Sequence, residues 1–149
     1  MNFKETIYRH YTKLIEEKIQ LLQTTLQDLR LSAANETKST AGDKHETALA
    51  MLQIEQENTA KQLNEALAQK KTMDQIDATI KTIQVCKGSL VKTNHGLFFI
   101  SSALGKKEID GVWVIAISPA SPLGNKMMGL QQGDRFAFNQ TNYRIEELY

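Results

Sequence analysis

Cysteine is almost absent: Cys86 stands alone, so no internal disulfide can form and no CxxC pair exists to bind zinc or cycle redox electrons. A reducing, cytoplasmic setting is the expectation. Proline occurs only at positions 119 and 122, and of 8 glycines only Gly42 precedes residue 88, so little in the first half interrupts a helix. An excess of one charge is also lacking. Lys+Arg 18 against Asp+Glu 17 leaves a formal net charge of +1, which excludes recognition of nucleic acid or an anionic membrane through a strong global field. No apolar run approaches the ~20 residues of a membrane span, and the amino terminus is charged every few residues, unlike the core of a signal peptide. The expected protein is soluble, with no membrane partner.

What is present falls into two grammars. From Phe3 to Leu31, apolar side chains recur in steps of three and four at Ile7, Tyr11, Ile15, Ile19, Leu22, Leu26 and Leu29, which predicts one amphipathic helix. From Lys44 to about Ile83 a second stripe runs through Ala48, Leu52, Leu63, Leu67, Met73, Ile76, Ile80 and Ile83, interrupted at 55–59. A helix of ~40 residues there would be ~60 Å long. Between the two, SAANETKSTAGD is suited to reversing the chain. The reading is an antiparallel helical hairpin over residues 1–86, with coiled-coil character and an acidic tip near 38–46.

Seven of the ten aromatic residues follow His95, in short β-favouring runs. Strands are expected at 89–92, 97–101, 112–117, 135–139 and 142–147, with turns at 93–96 and 140–141. In SPLGNKMMG, Ser121 suits an N-cap, Pro122 the first helical position and Gly129 a stop. Residues 87–149 therefore read as a small β-rich domain, and the whole chain as α+β. Cys86 is expected as a small buried hydrophobe, Trp113 as core, and Met127-Met128 as core filler.

The run Ile117-Ser118-Pro119-Ala120-Ser121-Pro122-Leu123-Gly124, followed by Gly129 and Gly133-Asp134, resembles the FKBP-like domain of the Gre-type transcript cleavage factors. At the hairpin turn, Gly42-Asp43-Lys44-His45-Glu46 is similar to that family's Gly-Asp-x-x-Glu. The resemblance implies a bacterial transcription elongation factor that binds RNA polymerase and inserts its tip in the secondary channel to stimulate cleavage of backtracked RNA. It implies no enzyme in its own right, and contact with DNA and nascent RNA only through the elongation complex. An intramolecular hairpin whose two stripes bury one another predicts a monomer. Asp43 and Glu46 would be the catalytic pair, helping to hold a second Mg²⁺ shared with the polymerase, with no cofactor of the chain's own. Ser121, Pro122, Leu123 and Gly124 would be partner-binding. One departure stands out: Thr47-Ala48-Leu49-Ala50 follows Glu46 where typical members have Asn-Ala, an acid and Tyr.

The same residues admit other readings. Asp-x-x-Glu at a helix start is also a capping box, with Asp43 at N-cap and Glu46 at N3, and both roles can hold together. His45 lacks a Cys or His partner for zinc. The altered residues after Glu46 favour a secondary-channel regulator that does not stimulate cleavage. A coiled-coil adaptor is a third possibility, against which the paired acids speak. Prolyl isomerase activity would need an aromatic-lined pocket, and acyl condensation a Cys with a His partner.

Overall fold

A computed structural model describes residues 2–36 and 43–149, with the side chains of 43–45 also outside the description. The chain divides into two compact units, residues 14–70 and residues 1–13 with 71–149.

The first helix, α1, spans Phe3–Glu36, and the second, α2, Asp43–Asp74. Within residues 14–70 they form a helical hairpin. Ile15, Leu22 and Leu26 of α1 are buried, in step with the predicted stripe, and Ala66 of α2 is fully buried. Across the 55–59 interruption the α2 seam continues through half-buried Gln56, Thr59 and Ala60, small or polar side chains that a search for large apolar residues passes over. Lys70 Nζ lies 3.9 Å from Glu16 Oε1, which pairs a late residue of α2 with an early one of α1, as an antiparallel hairpin requires. The Glu16 side chain is largely solvated and the Lys70 side chain half-buried, and at this distance the pair fixes register more than it stabilises.

Helix α2 ends about nine residues before the predicted stop near Ile83. Asp77 Oδ1 accepts from Thr79 N at 2.9 Å and Thr79 Oγ1 at 2.5 Å, a local turn that competes with helical hydrogen bonding. Beyond it the backbone finds tertiary partners: Ile80 O accepts from Lys4 Nζ at 2.7 Å, and Val85 exchanges bonds with Gly129 and Leu130. Ile80 and Ile83, predicted on the stripe, are instead 58% and 82% exposed.

The second unit carries a six-stranded sheet: β1 Leu90–Thr93, β2 Gly96–Ile100, β3 Gly105–Ile109, β4 Val112–Ile117, β5 Arg135–Phe138 and β6 Thr141–Leu148, with a short helix α3 at Pro122–Met127 before β5. The strand order is β3-β4-β2-β1-β6-β5, antiparallel except for the parallel pair β2 and β4. Strand β3 is the one the sequence reading missed. Lys106, Lys107 and Glu108 hide its strand character, yet charge is what an edge strand needs to resist pairing with another chain. Asp110 and Gly111 at φ 51 and 79 make the β3–β4 turn, a two-residue signal visible in the sequence. The β5–β6 turn falls on Asn139 and Gln140, both at positive φ.

Each face of the sheet has its own cover. Leu90, Phe99 and Ala116 lie in one cross-strand row, and Tyr11 stacks on Phe99 at a centroid distance of 6.3 Å. The first turns of α1 thus cap that face, with Ile7 and Tyr11 fully buried. On the other face Val91, Phe98, Ile100 and Ile145 cluster with Met127 of α3, and Leu123, Met128 and Phe136 pack against them. Two expectations for this unit are corrected. Trp113 is 55% exposed: it shares its face with Ile115 and Ile117 but sits at the open start of β4, opposite Glu108 of the edge strand, with Lys106 Nζ 5.0 Å from its ring. Cys86 is exposed as well, and its neighbour Val85 takes the buried position.

Candidate functional site

The sequence-predicted residues occupy two places, one in each unit. Asp43 is the first residue of α2 and Glu46 stands one turn further in, exposed. At i and i+3 they share one helix face. Gly42, the Asp43 side chain with its expected N-cap bond, and His45 lie outside the described residues and side chains. Glu46 is a solvated carboxylate oxygen donor, chemistry that suits a hard cation. Among the described residues no group of three or more His, Cys, Asp and Glu is placed to hold a metal ion. Two carboxylates fall short of the six ligands of Mg²⁺, so any such ion would draw its remaining oxygens from a partner and from water.

The Ser118–Gly124 segment is built around two hydroxyls. Ser118 Oγ accepts from Ala120 N and Ser121 N, each at 3.1 Å. Ser121 Oγ donates to Ser118 O at 2.7 Å and accepts from Gly124 N at 3.0 Å, which makes it the N-cap of α3. Gly124 is required by space. A Cβ there would sit 2.1 Å from Ser118 O and 2.8 Å from Ser121 Oγ. Of the four residues assigned to partner binding, Ser121 and Gly124 are thus committed to folding the segment, Leu123 packs on the core cluster, and Pro122 is exposed. Asn125 and Lys126, exposed beside Pro122, complete the outward surface of α3.

Two residues of α1 matter more than their helical periodicity indicates. Tyr11 Oη lies 2.9 Å from Gly105 O and 3.1 Å from Val114 O, and burial pushes its phenol pKa up to about 12. Lys4 is 4% exposed and its ammonium bonds Ile80 O; burial lowers its pKa from the ordinary lysine range. A helix stripe cannot single out either one, because their partners lie more than 70 residues away.

No protein-family model, curated protein or solved structure matches the chain. No helix among the described residues is long and apolar enough to cross a membrane.

Proposed function

We propose that this chain is a Gre-like transcription elongation factor acting in the bacterial cytoplasm, in which the helical hairpin enters the secondary channel of RNA polymerase and stimulates cleavage of backtracked RNA. The observation that carries the reading is the pair of carboxylate residues, Asp43 and exposed Glu46, opening the second helix of a hairpin. The Ser-x-x-Ser-Pro-Leu-Gly segment supports it, as a rigid capped turn presenting Pro122 and the start of α3 to a partner on an FKBP-like domain. In this proposal Asp43 and Glu46 offer oxygen ligands to a Mg²⁺ ion held jointly with the polymerase, where the ion supplies Lewis-acid activation of water. The polymerase owns the active site, so the chain needs no nucleophile.

Asp43→Asn and Glu46→Gln test the chemistry apart from the fold. Asn caps a helix about as well as Asp, and Gln can serve at N3 of a capping box. Each variant is expected to keep its helical circular dichroism, to compete with wild type for polymerase, and to lose most of the stimulated cleavage of RNA in a stalled elongation complex. Cleavage retained by both variants would reduce the pair to a cap. A second reading, a channel-binding regulator without cleavage activity, is favoured by Thr47-Ala48-Leu49-Ala50 behind the acids. Wild-type protein that binds polymerase and never stimulates cleavage at any Mg²⁺ concentration establishes that reading instead.

A further inference from the structure

Against the sheet face covered by α1 lies a cavity of about 420 Å³ that the proposed function does not use. Phe3 and Lys4 of α1, Ile80 of the connecting segment, Leu97 and Val112 of the sheet, and Tyr149 just after β6 bound it. Its volume is within the range of small-molecule sites. The walls are predominantly apolar, and several remain open to water: Ile80, Val112 and Tyr149 are among the exposed large hydrophobic residues of the chain. Side chains this apolar, gathered at one opening rather than scattered, mark a surface that something covers.

Charge decides what kind of occupant fits. Lys92 stands opposite Glu147 in the β1–β6 ladder, so these two lining charges balance. Lys4 and Lys81 remain, and the lining is net positive. Lys4 is the decisive group. The residue is 4% exposed, and its part-buried ammonium, with three donors, meets one hydrogen-bond acceptor among the described residues, the Ile80 carbonyl. Cys86 and, less strongly, Asp77 act on it through space, and Asp77 directs Oδ1 to Thr79. An ammonium at the wall of a largely apolar cavity is a ready partner for an anionic head group, because a charge-assisted bond is strongest where little water competes.

We infer that this cavity binds a small amphipathic carboxylate, its apolar body against Phe3, Ile80, Leu97 and Val112 and its head group on the Lys4 ammonium. The site is independent of polymerase and of the acidic pair. An eight-carbon chain tests both halves of the inference, because octanoate and octanol share a body and differ in the head. Calorimetric titration of the full chain is expected to give saturable one-to-one binding of octanoate, tighter than octanol by about tenfold, the order of one charge-assisted contact. Lys4→Met keeps an apolar stem and should bring the two ligands to equal affinity. Val112→Trp, at an exposed lining position, should weaken both by about tenfold or more by filling the mouth. Absence of saturable octanoate binding to wild type, or equal affinity for octanol, overturns the inference. So does a folded Lys4→Met variant that still prefers octanoate. If circular dichroism shows Lys4→Met unfolded, the wild-type preference together with Val112→Trp decides the matter.

Discussion

Replacing Tyr11 by Phe removes one oxygen from a fully buried ring that stacks on Phe99. The lost hydroxyl leaves the carbonyls of Gly105 and Val114 without their bond from α1. At neutral pH this should cost ~1–2 kcal/mol, since the shape of the ring is kept and each carbonyl has a second lone pair. Alkali reverses the order of stability. The folded-state pKa of Tyr11 is about 12 against 10.0 for the ordinary phenol, so the unfolded chain gives up its proton first and wild-type stability falls as pH rises between these values. The loss amounts to roughly 1 kcal/mol at pH 11 and approaches roughly 3 kcal/mol above pH 12, at about 1.4 kcal/mol for each unit of pKa difference. The Tyr11→Phe variant has no such proton, and the contributions of Lys4 and Tyr149 are common to both proteins and cancel in the comparison. Urea unfolding followed by circular dichroism across this range should therefore show the variant less stable at neutral pH and the two curves crossing between about pH 11 and 12. Curves that stay parallel through pH 12 would refute the claim that burial holds the Tyr11 proton.

Gly124→Ala should cost ~2–4 kcal/mol, because a Cβ 2.1 Å from Ser118 O forces the capped turn apart and takes the N-cap of α3 with it. Gly96→Ala, where φ is +126 and no atom lies within 4 Å, carries backbone strain alone at about 1–2 kcal/mol, and equal denaturation midpoints for the two variants would contradict the steric argument. Trp113→Ala should cost under about 1 kcal/mol, against ~3–5 for a buried aromatic. Trp113 is the one tryptophan, so ready acrylamide quenching of the chain's indole fluorescence checks the same point.

Local pattern and tertiary context divided the control of this structure. The α1 stripe from Ile7 to Leu29 was legible because a long helix repeats its buried face every three to four residues, whatever it packs against. The cap at Ser121, the stop after Met128 and most strands were legible for a similar reason, since turn and capping chemistry acts over a few neighbours. The candidate tip was legible only as a short motif, and the metal role proposed for Asp43 and Glu46 needs more oxygen ligands than the motif supplies. The stop of α2 at Asp74 was not legible. Ile76, Ile80 and Ile83 keep helical spacing, but the Asp77 turn and the distant partners of Ile80 and Val85 offer the backbone better bonds than another helical turn. Strand β3 is extended although its residues are mostly charged, because β4 supplies the ladder and the edge supplies the solvent. Trp113 looked like core because aromatic residues in strands usually are, and its exposure follows from a place at the open end of a row. Lys4 and Tyr11 show the division most sharply: one helix face carries both, but burial beside Ile80, Gly105 and Val114 gives them their properties, and only folding brings those residues within reach.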